Sequence, residues 1–472
     1  MNCLNRLMTL KTLKLALIIT VVIAGLNSCK VEDRDDIFDK LNALSGVRVT
    51  EIEPRFGYPR AFQIDFAQPV NHNDVGGQWF YQRMYLSHVD ENLPMVFAPS
   101  GYAATERSGQ EIAAVLQTNC LNVSHRYFTE SRPTPTDWQY LTVWQAATDH
   151  HRIVKLFKTI YGGPWVSSGA SKSGMTPIFH KRFYPDDVSA IIAYVAPFSF
   201  GMDDERYPPF LASIGSAADR ATIIDYQRRL LIGRSIYSTM YGDWFPENGH
   251  SYSGDPDIGF ESRVISYNWT FYQYHDHGIQ DIPEHGSSHA AMFGHFAAVT
   301  KIERASDIYY DYFKPYYFQA YTELGYPKQN ADHLQDLLLY DRSGTPNLAP
   351  AYGIHVDFKP ETMQSIYNWV QTQGDNIIFI YGGIDPWTAG AVQLTGQTNA
   401  IKIVHPGSDH GVKILDLPGN QQALVFNSLS KWLGIQIALG VKRGIRESDD
   451  GRRLDMGNLT AKELQAHSPP IQ

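Results

Sequence analysis

The sequence is poor in cysteine, with only three among 472 residues. Cys3 and Cys29 lie near the N-terminus, and Cys120 is alone in the rest of the chain. This count excludes a disulfide framework and cysteine-rich zinc sites.

Basic clusters are also missing, and the net charge is -9 at pH 7. Nucleic acid is therefore not expected as a partner, and we expect neither a cofactor nor a metal ion.

Apolar and aromatic side chains are abundant instead. Hydrophobic residues make up 43% of the sequence, and Phe, Trp and Tyr together make up 13%. A chain of this length and composition buries a large hydrophobic core and is not disordered. The many aromatic residues suit both a well-filled core and a large substrate cleft.

The N-terminal segment has the features of an export signal. Lys11 and Lys14 precede an apolar run over residues 15–26. This run is too short to span a bilayer as a helix. The pattern predicts a signal peptide over residues 1–28.

The end of that run resembles the bacterial lipoprotein processing box. Its sequence is Leu26-Asn27-Ser28-Cys29, and in such a box the cysteine becomes the first mature residue and carries the lipid. Acyl chains hold a protein on a membrane by burying methylene groups. We therefore predict lipidation of Cys29, a tether over residues 29–46 and a lipid-anchored location in the bacterial cell envelope, at the outer membrane and open to surface exposure. An ordinary signal peptide with a chance cysteine is the alternative, and the oligomeric state stays open.

The order of strand-like and helix-like segments predicts an α/β protein. Over residues 47–201, alternating apolar and polar residues are followed by apolar strands that alternate with amphipathic helices. Such alternation implies a mostly parallel sheet with right-handed crossovers. Helical stretches replace it over residues 202–349, which we interpret as an inserted helical cap. The strand–helix pattern returns over residues 350–442, and a polar tail occupies residues 443–472.

The segment "SSGASKSGM" at residues 167–175 follows an apolar strand and precedes a helix-like stretch. A serine on a sharp turn between strand and helix is the context of a nucleophile elbow, whose strained backbone needs small neighbours. Ser171 is the best candidate because Gly169 lies two residues before it. The pattern G-x-S-x-G then requires glycine at Ser173, whereas glycine comes one position later, at Gly174. Ser173 is a poorer nucleophile candidate because a methionine flanks it.

An acid and a histidine follow later strands in the order that a nucleophile elbow requires. The strand-like segment "NIIFIYGG" leads to Asp385, and "AIKIVHPG" leads to "SDHG", which contains His410. Both residues are therefore expected at carboxyl ends of strands, where such a sheet binds ligands. His410 would take the proton of Ser171, and Asp385 would orient the imidazole. His405 and Asp409 are the alternatives, disfavoured because His405 ends its strand and because adjacent Asp and His side chains rarely pair well.

The oxyanion of an acyl-transfer intermediate needs backbone N–H donors. One donor is expected from Lys172, directly after the nucleophile. A second is expected from the segment "APSGY", at Gly101 or Tyr102. The side chain of Lys172 is expected to be a solvated surface charge.

Five segments in register resemble the prolyl carboxypeptidase and dipeptidyl peptidase group of serine peptidases, over residues 47–439: "FAQPVNHNDVGGQWFYQRMYL", "SHRYFTESRPTPTDWQYLTVWQAATD", "GASKSGM", "YGGIDPW" and "SDHG". The forms "GASKSGM" and "MDDERY" make the chain more similar to secreted bacterial prolyl tripeptidyl aminopeptidases. The resemblance implies an α/β-hydrolase core, a helical cap and cleavage near proline from one end of a peptide. Ser171, Asp385 and His410 match the catalytic residues of that group, and Ser173 departs from its usual glycine.

An aminopeptidase also needs carboxylates for the free ammonium group of its substrate. The candidates are Glu130 and the run Asp203, Asp204 and Glu205, although a solvated face is the simpler interpretation of such a run. The segment "SYNWTFYQYHDHGIQDIP" resembles the cap segment of the family, and its aromatic residues are suited to stacking on proline. The histidines of this region match no zinc signature: His275, His277, His285, His289 and His295.

The predicted function is a lipid-anchored serine exopeptidase that acts on peptide substrates. It is expected to release short peptides, with tripeptides favoured, from the N-terminus of proline-containing chains. An α/β-hydrolase esterase is one alternative. A surface binding lipoprotein with a weakened active site is the other.

Overall fold

The computed structural model describes residues 36–329, 331–340 and 357–437. The predicted signal peptide, Cys29 and the polar tail lie outside these ranges, as does the predicted limit between residues 349 and 350. The chain forms two units, Met1–Ser45 and Gly46–Gln472. Within the described part of the first unit, and inside the predicted tether, a short helix α1 spans Ile37–Asn42.

Three antiparallel strands begin the second unit. β1 (Val47–Ile52) pairs with β2 (Arg60–Pro69), and β2 pairs with β3 (Trp79–His88). Along the middle of β2, buried side chains alternate with half-buried ones, as expected for a strand with one face on the core. The alternation of apolar and polar residues therefore identified these strands correctly.

Further strands extend the sheet in the described residues: β4 (Met95–Pro99), β5 (Asn119–Val123), β6 (Trp165–Ala170), β7 (Ala190–Tyr194), β8 (Ile377–Gly382) and β9 (Ile401–His405). β5 pairs antiparallel with β3 and parallel with β4, and the pairs from β4 to β9 are all parallel. The order across the sheet is β1-β2-β3-β5-β4-β6-β7-β8-β9. The central strands are buried along almost their whole length, which is typical of a parallel sheet covered on both faces.

The described α-helices after α1 are α2 (Glu111–Leu116), α3 (Val143–Phe157), α4 (Lys172–Phe183), α5 (Tyr207–Leu211), α6 (Ala217–Ile232), α7 (Arg234–Glu247), α8 (Pro256–Ile265), α9 (Tyr267–Tyr274), α10 (His289–Thr300), α11 (Asp307–Gln319), α12 (Pro360–Thr372) and α13 (Gly419–Leu433). Short 3₁₀ turns occur at Thr129–Ser131, Trp138–Tyr140, Ile279–Asp281, Ile302–Ala305, Asp332–Leu337, Pro386–Gly390 and Ile414–Asp416, and a π turn occurs at Ala320–Leu324. Within the described ranges, no helix has both the length and the apolar character needed to cross a bilayer.

Helices α5 to α10, which lie between β7 and β8, form an insertion with a hydrophobic core of its own. Tyr226, Tyr241, Phe260 and Phe296 are fully buried in this core. A separate core lies between the sheet and α13, where Val425, from the helix, packs with strand residues. The insertion lies where the sequence analysis expected a helical cap, and the limits of that cap stay a prediction.

The sheet has a point where its strand order reverses. The chain leaves β4 toward β5 on one side and returns through α3 to β6 on the other side of β4. The loops after β4 and β6 therefore diverge and leave a crevice at the carboxyl ends of two neighbouring strands, where doubly wound sheets bind ligands. A mostly parallel sheet of this order, with a helical insertion before β8, is the α/β-hydrolase fold, which confirms the predicted fold class.

A buried ion pair holds the chain that follows β5. Arg126 and Asp149 are both 0% exposed, and Arg126 Nε and Nη2 donate to the Asp149 carboxylate oxygens at 2.6 and 2.8 Å. Arg126 Nη1 also donates to the backbone oxygens of Val70 and Tyr140 at 2.9 and 2.8 Å. Burial by itself would raise the pKa of Asp149, but Arg126 and His72 outweigh burial and lower this pKa. Through these bonds Arg126 joins the chain after β5 to α3 and to the end of β2.

Replacing Arg126 with methionine should reduce the free energy of unfolding by about 3–5 kcal/mol, because Asp149 would stay buried without its arginine and with His72 as its remaining side-chain partner. Urea denaturation measures this change. The folded-state pKa of Asp149 is lowered, so the stabilisation is present above the unfolded-state pKa of about 3.9 and is lost as the pH falls through the folded-state pKa. As a control, Arg55→Met breaks a more exposed pair with Glu106 and should cost less than about 1 kcal/mol. Equal losses of unfolding free energy in the two variants would contradict the view that burial makes the Arg126–Asp149 pair more costly to break.

Candidate active site

Ser171 lies at the turn between β6 and α4. β6 ends at Ala170 and α4 begins at Lys172. The φ of Ser171 is 58° and its ψ is -131°, a conformation that non-glycine residues rarely adopt and that stores strain. Its N–H donates to Tyr194 O at 2.9 Å, which ties the turn to the end of β7. This strained turn, with a half-buried serine at its tip, has the geometry of a nucleophile elbow.

Two glycines make this turn possible. A Cβ on Gly169 would overlap the carbonyl oxygen of Ser173. A Cβ on Gly174 would lie 2.8 Å from Tyr194 O and 2.9 Å from Gly169 O. Both positions therefore exclude a side chain. The glycine that the G-x-S-x-G pattern requires at residue 173 is needed at residue 174 in this chain, where α4 meets the backbone at the end of β7.

The departure at Ser173 is accommodated by a hydrogen bond. The Ser173 side chain is buried, and its Oγ accepts the N–H of Gly101 at 2.9 Å. Ser173 Oγ also lies 3.5 Å from Ser100 Oγ. The hydroxyl therefore has partners in the loop after β4 and does not disturb the turn.

The predicted acid and histidine are in direct contact. His410 Nδ1 lies 2.6 Å from Asp385 Oδ2, and the two residues are 9% and 0% exposed. Asp385 Oδ1 accepts the N–H of Trp387 at 3.1 Å. Burial raises the pKa of Asp385, and the charge of His410 only partly opposes this effect. A carboxylate at Nδ1 favours the tautomer with its proton on that nitrogen, which leaves Nε2 able to act as a base.

The two alternatives make other contacts. His405 Nδ1 lies 2.8 Å from Ser408 Oγ. Asp409 Oδ1 accepts the N–H of Gly411 at 2.8 Å, within its own turn. The structure therefore brings Asp385 together with His410, which is the pair that the sequence analysis favoured.

The loops after β8 and β9 pack backbone against backbone. A Cβ on Gly382 would overlap the carbonyl oxygen of Asp409, and one on Gly383 would lie 2.5 Å from Pro406 O. The Gly383 N–H also donates to His405 O at 2.7 Å. The two glycines of "YGG" are therefore required by the close approach of the two loops, and this approach sets the distance between the acid and the histidine.

A helix of the insertion also holds the candidate histidine. The His410 N–H donates to Gln273 O, near the end of α9, at 3.0 Å. The ring of Tyr274 lies edge-to-face against His410 at a centroid distance of 6.3 Å, and Trp387 lies at 6.4 Å. Trp269 of α9 contacts Trp387 at 5.1 Å. The aromatic cap segment thus lies beside the histidine, as expected for a segment that lines the substrate site.

Sequence reasoning missed two of these contacts. Gln273 acts through its backbone oxygen, which any residue supplies, so no residue type marks the position. Trp387 carried a signal that could have been used, because it follows the candidate acid by two residues and is aromatic.

The three expected oxyanion donors differ in whether their N–H groups already have an acceptor. The N–H of Lys172 is in the first turn of α4, where N–H groups have no intrahelical acceptor, so it fits a donor role. The Gly101 N–H already donates to Ser173 Oγ at 2.9 Å, so a donor role for Gly101 requires a change of acceptor and stays a prediction. The Tyr102 N–H donates to Ser100 Oγ at 2.9 Å. An oxyanion is a stronger acceptor than a hydroxyl, so a donor role for Tyr102 stays a prediction.

The expectation that the Lys172 side chain is a solvated surface charge is wrong. This side chain is 3% exposed, and Nζ donates to Gly101 O. Nζ lies 5.4 Å from the ring centroid of Tyr102 and 5.2 Å from that of Phe128. Burial lowers the pKa of Lys172 well below its usual range. The loop after β4 folds over the start of α4 and covers the lysine, which the sequence around residue 172 does not reveal.

Two of the proposed terminus-binding carboxylates already have partners. Asp204 is buried, accepts Arg206 Nε at 2.9 Å and the Phe200 N–H at 3.2 Å, and has its pKa lowered by these hydrogen bonds despite burial. Glu205 is exposed and accepts Lys328 Nζ at 2.8 Å. The ion pair of Asp204 fixes the chain where it enters the insertion.

The other two carboxylates are accessible. Glu130 follows Phe128, whose ring contacts Tyr102 at 5.6 Å, and its carboxylate lies 4.0 Å from Arg83 Nη1. Asp203 is exposed. A role for these residues in binding a substrate terminus stays a prediction, and Glu130 lies in the segment that contacts the loop after β4.

The cap histidines make separate contacts. His289 Nδ1 lies 2.9 Å from Tyr237 Oη, and His295 Nε2 lies 2.7 Å from Tyr267 Oη. Within the described ranges, no group of three or more His, Cys, Asp or Glu side chains has an arrangement that could hold a metal ion.

The fold, the elbow serine and the buried acid–histidine pair define the class of the protein as an α/β-hydrolase. A model of the PS-10 peptidase S37 family matches residues 31–445, and the chain belongs to that family. The prolyl tri/tetrapeptidyl aminopeptidase of Streptomyces mobaraensis is 33% identical to the chain over 408 residues, which cover 85% of each sequence. These matches confirm the resemblance seen in the sequence and the prediction of a serine peptidase of the aminopeptidase type.

Two solved structures match most of the chain at low sequence identity. VinJ is 9% identical, with 78% of this chain and 98% of VinJ covered and a TM-score of 0.38. Proline iminopeptidase from Mycobacterium smegmatis is 11% identical, with 78% and 98% covered and a TM-score of 0.34. Both are too distant to bear on the chemistry of the site.

The glycine at the end of β8 can be tested directly. Gly382→Ala should lower kcat on the order of a hundredfold, because its Cβ would displace the loop that carries the histidine and misplace a reacting group by about 1 Å. Gly407→Ala is the matched control, since a Cβ at Gly407 would meet nothing within 4 Å. Steady-state kinetics on a peptide substrate and thermal unfolding would be measured for both. Wild-type turnover in Gly382→Ala would show that the loop contact does not set the geometry of the site.

Proposed function

We propose that the protein is a serine exopeptidase that removes tri- or tetrapeptides from the free N-terminus of proline-containing peptides. The observation that carries this proposal is the strained backbone of Ser171 at the β6–α4 turn, in a chain of the S37 family. Strain of this kind persists where the surrounding structure enforces it, and it clusters at catalytic positions. The number of residues released follows the name of the Streptomyces mobaraensis relative.

In the proposed mechanism, Ser171, His410 and Asp385 act as a triad. Ser171 Oγ attacks the scissile carbonyl carbon while His410 Nε2 takes the hydroxyl proton. The tetrahedral intermediate collapses, the C–N bond breaks, and the leaving amine takes the proton from His410. Water then attacks the acyl ester with His410 as base, which releases the short peptide and restores the Ser171 hydroxyl. Asp385 supports this cycle by stabilising the imidazolium.

The proposed exopeptidase specificity requires a group that recognises the substrate ammonium. Glu130 is the carboxylate that we favour, since it is exposed and lies near the loop after β4, whereas Asp204 is buried against Arg206. The aromatic side chains of Trp269, Tyr274 and Trp387 support the proposal because they offer flat apolar faces to a proline ring.

The proposal predicts that a fluorophosphonate labels the wild type and not Ser171→Ala. Mass spectrometry of a mixed peptide pool should then show tri- or tetrapeptides released from free N-termini, with no release by Ser171→Ala and little from acetylated peptides. Equal cleavage of free and acetylated peptides would exclude recognition of the terminal ammonium. Hydrolysis of simple esters without peptide release would favour an esterase, and a folded but unlabelled wild type would favour a weakened binding protein.

We also propose that Cys29 carries a lipid that anchors the protein in the bacterial cell envelope, at the outer membrane. The supporting observation is the position of Cys29 after an apolar run with the box Leu26-Asn27-Ser28. Stable anchoring generally needs two acyl signals, so the proposal requires more than one acyl chain on the mature protein.

Expression in a Gram-negative host tests this anchor. Cys29→Ser should move the protein from the membrane fraction to the soluble fraction, because no acyl chain would be attached. Cys3→Ser is the control and should leave the protein in the membrane fraction. Detergent partitioning and intact-mass measurement give the readouts, and membrane association of Cys29→Ser without added mass would rule out the proposed anchor.

A further inference from the structure

Both backbone polar groups of Gly101 are hydrogen-bonded to the two residues that follow Ser171. Its N–H donates to Ser173 Oγ at 2.9 Å, and its carbonyl oxygen accepts Lys172 Nζ. A third hydrogen bond joins α4 to the end of β4, where Thr176 Oγ1 donates to Pro99 O at 2.8 Å. The start of α4 is therefore bonded to the loop after β4 at successive points.

The absence of a side chain at Gly101 allows this contact. A Cβ on Gly101 would lie 2.6 Å from Lys172 Cγ and 2.8 Å from the Lys172 carbonyl carbon. Neither the lysine stem nor the backbone of α4 could remain in place. Glycine is therefore required here for close approach, rather than for an unusual backbone angle.

The burial of Lys172 demands an explanation. A buried ammonium group is costly unless it is hydrogen-bonded or paired. Within the described part of the chain, no ion pair joins Lys172 to a carboxylate. Its Nζ contacts Gly101 O and faces the rings of Tyr102 and Phe128, and aromatic faces attract a cation. An oxyanion donor at this position needs only a backbone N–H, so the buried side chain must serve another purpose.

We propose that Lys172 and Ser173 are positioning residues that hold the loop after β4 at a fixed distance from the elbow. This inference rests on the proposed role of Ser171 as nucleophile. The two sides of an oxyanion site in this fold belong to different elements, the start of α4 and the loop after β4. Donors contribute most when they are held in place before the charge develops. The bonds to Gly101 supply that fixed geometry.

The test compares Lys172→Met, Ser173→Ala and the double variant with the wild type. Each single variant should lower kcat on the order of tenfold to a hundredfold, less than the ~10²–10³-fold cost of deleting an oxyanion donor itself. KM should stay nearly unchanged. Because both contacts hold the same residue, Gly101, the double variant should lose less than the product of the two single losses. Lys155→Met, which removes an exposed lysine on α3, is the matched control and should behave as the wild type.

A transition-state analogue distinguishes positioning from a merely structural role. The inhibition constant of a peptide boronic acid should rise by the same factor by which kcat/KM falls. Ser173→Gly, which removes the hydroxyl with no added bulk, provides a second variant if Ser173→Ala or Lys172→Met folds poorly. Folded variants with wild-type kcat and wild-type boronate affinity would overturn the proposal.

The two proposals fail separately. If Ser171→Ala is inactive while the Lys172 and Ser173 variants behave as the wild type, only the positioning role is wrong. If Ser171→Ala keeps its peptidase activity, the proposed nucleophile is wrong and the positioning role falls with it.

Discussion

The backbone conformation of Ser171 is the constraint on which the rest of the site depends. A non-glycine residue at φ 58° persists only when its neighbours leave it no alternative. The bond to Tyr194 O and the bare glycines at 169 and 174 impose this conformation, because they let α4 begin directly against the ends of β6 and β7. The same approach places the first residues of α4 in contact with the loop after β4. Strain at the serine and order in that loop therefore have a common origin.

The contact between Asp385 and His410 also depends on a close approach of two backbone segments, at the ends of β8 and β9. There the loops after β8 and β9 touch through glycine backbone, and the contact between Asp385 and His410 follows from that packing. Burial would by itself disfavour the carboxylate, and the imidazole compensates only in part. In both places the close approach of two backbone segments determines where the side chains lie.

The sequence predicted those parts of the site that depend on local order. Ser171, Asp385 and His410 each follow an apolar strand, and strand ends are local signals. The burial of Lys172 and the acceptor role of Ser173 could not be predicted, because their partner Gly101 lies 71 and 72 residues away in the sequence. The acidic run at residues 203–205 offered both a binding site and a solvated face as interpretations. Its middle residue is neither exposed nor open to a ligand, because Asp204 is buried and accepts Arg206 Nε, two residues further on.

The hydrogen bond between the His410 N–H and Gln273 O connects the candidate active site to the insertion. Gln273 belongs to α9, so the histidine is oriented partly by the insertion and not by the sheet alone. The position of α9 and the backbone position of His410 are therefore coupled through one hydrogen bond.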